Sequence, residues 1–393
     1  MLDKYHFIYL FIILVLIIIL LIYKRRMEKP LSLKGAYLNY SSTNSKKNGE
    51  LNPSDLAYPQ VIEQRKDFHS FANHLKQIVN APADAVVIIN SGATESIANC
   101  IFWAKNYNQY GIIQGTDFDH SAVKDNCDNL GLEYDNTSLR KNKILDKCSM
   151  IFLTQVNSRN GEVLNIQNFK RNILDKYSYL VESNSNQTKH VRQYKPLVVL
   201  DATQSICKVP IDMERWGINA LFFSLHKLGG HIGSGLFIVY DPTNTFKPLI
   251  AGKQQNQLRG GTFPLDEVLN SGYVLDGMDD SNERKTRWQQ AFDKLSSSGL
   301  KVYKPTTEHL YNTLLIDVNR CPLGIINSLA EQGIYVGNVS ACANESEQDT
   351  LKGGKKAKKT FGPFERAIRI SFKKSNELTD SILDKIISTV KAE

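Results

Sequence analysis

The sequence is poor in cysteine, and its cysteines form no pattern. Six of them (100, 127, 148, 207, 321 and 342) are scattered over 393 residues, too few and too irregular for a disulfide scaffold. No CxxC occurs and no cysteine–histidine cluster has zinc spacing, so a structural zinc module is excluded and a reducing compartment is indicated. There is no GK[ST] loop, which removes P-loop nucleotide chemistry. No internal repeat is present. A basic body is missing as well. The net charge is +8, but Lys24, Arg25 and Arg26 together with Lys352, Lys355, Lys356, Lys358 and Lys359 account for all of it. No nucleic acid is therefore expected as a partner. With 42% apolar and 22% charged residues, close to the globular norm of roughly 45–50% and 25%, wholesale disorder is excluded too.

One long apolar run stands apart. Residues 7–23 read FIYLFIILVLIIILLIY, seventeen without a charge, just under the ~20 of a spanning helix. Extension back through His6 to Tyr5 gives nineteen, and tyrosines at both ends suit a bilayer interface. Positive charges follow the run and no small-residue cleavage site does, which favours an uncleaved anchor over a signal peptide or a core helix. Lys24-Arg25-Arg26 then puts the rest of the chain on the cytoplasmic side of a membrane. The expected division is a transmembrane anchor at 1–26, a polar linker and arm at 27–57, a large domain at 58–262 and a small one at 263–393.

From Tyr58 a helical stripe (Val61, Ile62, Phe68, Phe71, Ala72, Leu75, Ile78, Val79) opens the body. Short aliphatic runs then recur with helical stretches between them: VVIIN (86–90), YGII (110–113), MIFLT (150–154), PLVVLD (196–201), ALFFSL (220–225) and GLFIVY (235–240). Such continuous apolar strands predict an α/β fold with a mainly parallel sheet covered on both faces. Residues 182–195 read as a polar surface loop. Beyond Thr262 the pattern changes to α+β: helices around 264–298, strand LLIDV (314–318), a helix (323–332), IYV (334–336), AIRIS (367–371) and a last helix with Ile382, Leu383, Ile386, Ile387 and Val390 on one side.

Ligands of parallel sheets bind beyond the carboxyl ends of the strands, so the residues ending each run carry the interest. Ser91-Gly92-Ala93-Thr94-Glu95 follows VVIIN and opens a helix, a turn that can hold a phosphate or simply cap the helix. Asp119-His120-Ser121 follows YGII, and a lone histidine there is more often structural than catalytic. Asp201-Ala202-Thr203-Gln204 ends PLVVL, an acid placed where the sheet meets a ligand or a simple helix cap. His226-Lys227 ends ALFFS and runs into Gly229-Gly230-His231-Ile232-Gly233-Ser234-Gly235. A lysine there is either a solvated surface residue or a Schiff-base lysine, close to the sheet and partly desolvated.

Taken together, SGATES (91–96), DHSAV (119–123), LDATQS (200–205), SLHKLGG…GSG (224–235), RGGT (259–262), SAC (340–342) and RIS (369–371) resemble the NifS-like cysteine desulfurases of the class V pyridoxal-phosphate aminotransferases, in order and spacing. The resemblance covers about residues 36–390. It implies the pyridoxal-phosphate transferase fold of the aspartate aminotransferase type (fold type I) and conversion of L-cysteine to L-alanine. By the same resemblance, Lys227 binds pyridoxal 5'-phosphate covalently and moves protons, Asp201 pairs with the ring nitrogen, His120 stacks on the ring and Gln204 bonds its 3-oxygen. Ala93, Thr94, Ser224 and His226 hold the phosphate. Thr262 reaches the phosphate of a partner subunit, which implies a homodimer. Arg369 grips the substrate carboxylate, and Cys342 takes the sulfur for delivery to an acceptor protein such as an iron–sulfur scaffold.

The chain departs from the family pattern in four places. Ser158 stands where a cofactor-contacting asparagine is usual, Gly230-His231 replaces a Gly-Pro pair, Ala251-Gly252-Lys253-Gln254-Gln255 replaces a glycine-rich stretch, and a lysine-rich segment follows Cys342. Those lysines either favour the Cys342 thiolate or form a solvated loop. The alternative readings are a selenocysteine lyase, another β-lyase or an aminotransferase with the same cofactor, and an inactive membrane-bound scaffold.

Overall fold

In the computed structural model, residues 62–108, 111–145, 147–175, 179–182, 191–275, 281–339, 366–372 and 375–392 are described. The first helix, α1 (Ile62–Ile78), turns Ala72 and Leu75 into the core and leads to strand β1 (Val86–Asn90). After β1 come helix α2 (Ala93–Tyr107), β2 (Ile112–Gln114), helix α3 (Ser121–Leu130), β3 (Glu133–Asp135) and β4 (Cys148–Thr154). Strands β5 (Tyr179–Glu182) and β6 (Val191–Tyr194) form a separate antiparallel ladder. β7 (Leu197–Asp201), β8 (Ala220–Ser224) and β9 (Gly235–Val239) complete a seven-stranded sheet in the order β1-β9-β8-β7-β4-β2-β3.

The sheet is mixed. β3, β2, β4, β7 and β8 run parallel, while β9 is antiparallel to both β8 and β1. Its central strands are buried on both faces, as their unbroken apolar composition requires. Alternation sorts the residues by face. Leu153, Leu200, Leu221, Phe223 and Ile238 pack with α1, whereas Phe152, Val199, Phe222 and Phe237 pack with Ile97, Ile101 and Trp103 of α2. At the β1 edge, the Gln255 carboxamide stands in for a neighbouring strand: it accepts from the Ile89 amide at 2.7 Å and donates to the Ile89 carbonyl at 2.8 Å.

A second core surrounds a four-stranded antiparallel sheet of β10 (Lys301–Val302), β11 (Thr313–Asp317), β12 (Gly337–Asn338) and β13 (Ala367–Ser371), ordered β10-β11-β13-β12. Helices α4 (Ser281–Ser297), α5 (Leu323–Glu331) and α6 (Asp380–Ala392) cover it through Trp288, Leu295, Leu329, Leu383, Ile386 and Val390. The two sheets meet where the Leu310 amide donates to the Gly161 carbonyl at 2.7 Å and the Val163 amide to the Glu308 carbonyl at 2.8 Å.

In IYV (334–336), Tyr335 is 85% exposed, and pairing to β13 begins just after it, at Gly337. One expectation changes. The polar stretch 182–195 is not simply a loop, since its ends belong to the β5–β6 ladder. The anchor at 1–26, the arm at 27–57 and the lysines at 352–359 lie outside the described residues. Among the described residues, no helix is long and apolar enough to cross a membrane.

Candidate active site

The register of the large sheet aligns Thr154 with Asp201 and sets both Ser224 and Asn90 against Gly235. The carboxyl ends of β1, β4, β7 and β8 therefore share one edge, where the predicted site residues gather.

The turn after β1 is tightly built. Gly92 has φ 131°, a conformation that disfavours any side chain, and its amide donates to Asn90 Oδ1 at 3.0 Å. A Cβ on Gly235 would lie 2.5 Å from Gly92 Cα, so this close approach requires glycine at 235. The Ala93 amide donates to Ser224 Oγ at 2.8 Å, which ties the buried Ser224 hydroxyl at the end of β8 to the start of α2 and still leaves that hydroxyl a proton to donate. The Ser91 amide is taken by Glu95 Oε2 at 2.9 Å. Arg259 grips the same carboxylate with Nε at 2.9 Å and Nη2 at 3.1 Å. Burial alone would raise the Glu95 pKa, but Arg259 and Ser91 more than reverse this and hold it below the usual value. Thr94 is exposed at the mouth of α2.

Asp201 is buried at the end of β7, and its Oδ1 accepts from the Thr203 amide at 2.8 Å. Burial pushes its pKa up, and Thr203 and the nearby His120 offset part of the rise. Gln204 follows, half-buried. His120 caps α3: its Nδ1 accepts from the Ala122 amide at 3.2 Å, and its side chain is exposed. Lys227 sits in the single 3-10 turn Leu225–Leu228, whose Leu225 and Leu228 are buried while His226 and Lys227 face outward. Burial, then the adjacent Lys227 charge, lowers the His226 pKa.

From the small sheet, Arg369 on β13 reaches across to the large one. Its Nη1 donates to the Ser158 carbonyl at 2.8 Å, so two residues singled out separately in the sequence are neighbours. The Ser158 side chain is exposed, as is Thr262. Cys342 lies outside the described residues. Among the described cysteines, burial holds Cys100 well above the usual thiol range and pushes Cys127 and Cys148 up to about 12. These three are therefore thiols at neutral pH, unsuited to nucleophilic attack.

Sequence reasoning missed the second layer: Asn90, which donates to Ser96 Oγ at 2.7 Å, the Glu95–Arg259 pair, and Asp119 with its hydroxyl partners. A visible signal for Asp119 was threonine at two neighbouring loop and strand ends, Thr116 and Thr154. Among the described residues, no cluster of three His, Cys, Asp or Glu could hold a metal ion.

The donors present fit pyridoxal phosphate. Ser224 and Thr94 hydroxyls at a helix N-terminus suit a phosphate. A buried aspartate held, among the described residues, by the Thr203 amide suits a protonated ring nitrogen, and an outward lysine suits an aldehyde.

Cysteine desulfurase IscS of Buchnera aphidicola subsp. Acyrthosiphon pisum (strain 5A) is 24% identical over 217 residues, 51% of this chain and 49% of that protein. Its namesake in Glaesserella parasuis serovar 5 (strain SH0165) is 26% identical over 238 residues, 56% and 54% respectively. The chain thus spans about half the length of these curated relatives. A solved NifS-like protein superposes with a TM-score of 0.67 at 20% identity, over 86% of this chain and 89% of that one. The NifS-like protein from Rickettsia africae ESF-5 gives 0.65 at 16%, over 86% and 90%. At such identities these structures speak for the fold. The family model for class-V aminotransferases matches residues 59–380, and the chain belongs to that family.

Proposed function

We propose that the protein is a pyridoxal-phosphate-dependent cysteine desulfurase that converts L-cysteine to L-alanine and passes the sulfur through Cys342 to an acceptor protein. What supports the cofactor assignment is one juxtaposition: buried Asp201, the Ser224 hydroxyl against the Ala93 amide, His120 and Lys227 at one sheet edge. What supports the choice of substrate is the similarity to proteins named cysteine desulfurase together with Cys342 in its SAC motif.

When bound, pyridoxal phosphate supplies an electron sink for the substrate α-carbon. Lys227 would hold it and move the α-proton, Asp201 would keep its ring nitrogen protonated, and Ser224, Thr94, Ala93 and His226 would hold its phosphate. His120 and Gln204 would face the ring, with Ser158 at its rim. Arg369 would bind the substrate carboxylate by its planar fork. The Cys342 thiolate attacks the substrate sulfur, the S–Cβ electron pair goes to carbon, and the carbon skeleton takes up a proton and leaves as alanine. The sulfur remains on Cys342 as a persulfide. Thr262 from a partner subunit would complete the phosphate site in a homodimer. The apolar run 7–23 would anchor the enzyme with its body on the cytoplasmic side.

The test is direct. The purified protein should show a visible cofactor band that borohydride fixes to Lys227, and should form alanine from cysteine. Cys342→Ser should keep the band and lose alanine formation. A serine variant that makes alanine at the wild-type rate would instead indicate a β-lyase.

A further inference from the structure

We propose that Asp119 is a positioning residue for His120, fixing both the seat of the imidazole and its Nε2–H tautomer. The inference rests on the reading above that His120 faces cofactor and substrate.

Asp119 is only 8% exposed and lies in the turn between β2 and α3. Its Oδ1 accepts from Thr116 Oγ1 at 2.8 Å and Thr154 Oγ1 at 2.7 Å. Its Oδ2 accepts from the Thr116 amide at 2.8 Å and from the Tyr134 hydroxyl at 2.9 Å. A carboxylate offers about four lone-pair sites, and all are filled. The donors come from the exit of β2, from β3 and from the last residue of β4. Thr154 is the register partner of Asp201, so the Asp119–Thr154 bond fastens the His120 turn beside the strand end that carries Asp201. Gly115 makes room for this, since a Cβ there would lie 2.1 Å from Asp119 Oδ2.

His120 is the next residue. An Nδ1 that accepts from the Ala122 amide carries no proton, so the neutral ring must hold its proton on Nε2. The cap works only while the turn 116–120 stays in place, and the Asp119 amide also donates to the Thr116 carbonyl at 3.3 Å. Burial raises the Asp119 carboxyl to about 7 against the hydrogen bonds from Thr154, Thr116 and Tyr134. The geometry accommodates either form, because a threonine hydroxyl can turn to accept the acid proton.

The experiment is imidazole 15N NMR on the full chain with labelled histidine, the His120 signal being assigned by its loss in His120→Gln, alongside kcat and KM for cysteine. Wild type should show an unprotonated Nδ1 and a protonated Nε2. Asp119→Ala should show mixed tautomers and a kcat lowered by about 10–100-fold, with KM little changed. Asp119→Asn should restore most of both, since its oxygen keeps Thr116 and Tyr134 while its amide donates to the two threonine hydroxyls. If Asp119→Ala does not fold, Thr154→Val and Tyr134→Phe each remove one bond and should give the same signature more weakly. An Ala variant with unchanged tautomer and kcat overturns the proposal, as does an Asn variant as impaired as Ala. If wild type shows the expected tautomer but does not use cysteine, the desulfurase reading fails and the positioning role stands.

Discussion

Two buried aspartates at neighbouring strand ends are treated in opposite ways. Asp119 is met by three side chains and a backbone amide drawn from three stretches of chain, whereas among the described residues Asp201 accepts from Thr203 alone. Burial raises the pKa of both, so burial does not distinguish them. Hydrogen-bond saturation does. A saturated carboxylate has nothing left to offer a ligand and serves to tie chain segments together. An unsaturated one is short of a cation, and the protein gains by binding one there. Glu95 is a third case, in which the cation is supplied by Arg259 within the chain and the pKa falls.

The largest effect should come from the unsaturated member. Asp201→Asn keeps the shape but removes the charge offered to the ring nitrogen, and kcat for cysteine should fall by about 10³-fold, with the visible band shifted. A variant within a few-fold of wild type would show that Asp201 is as structural as Asp119. Next is Glu95. Arg259→Ala leaves its carboxylate largely buried and unpaired, and should cost about 3 kcal/mol of stability by urea denaturation. Glu95→Gln together with Arg259→Ala should cost less than the sum of the two single changes. The last prediction, a matter of slope and not of activity, concerns Asp119. Its folded pKa of about 7 lies above the usual carboxylate value near 4, so its contribution to stability is present below about pH 4 and is lost as pH rises through 7. Asp119→Asn cannot ionise. Its stability relative to wild type should therefore increase between pH 4 and 7 and level off above, as read from urea midpoints.

The sequence disclosed the large strands because each is a short apolar run, and it disclosed Asp201, His120 and Lys227 because they end or follow such runs, while Ser224 came from the family resemblance. β3 and β10, only three and two residues long, have too few positions for a period to register. The layer behind the site was illegible for another reason. Glu95 and Arg259 are separated by 164 positions, and Asp119 reads as a prefix to His120 until the fold brings Tyr134 and Thr154 beside it.

The reversed strand β9 also sets a schedule for biosynthesis. Among the described residues, β9 is the only strand that pairs with β1, and the carboxamide that closes the outer edge of β1 belongs to Gln255. The ribosome must therefore add about 150 residues after VVIIN before its partner exists, an interval on the order of ten to thirty seconds at about 5–20 residues per second. Throughout that interval a five-residue aliphatic segment has no ladder to join, and the turn that follows it cannot take its final form. Nascent chains truncated before Gly235 should consequently bind a chaperone through this segment, and chains extended past Gln255 should release it.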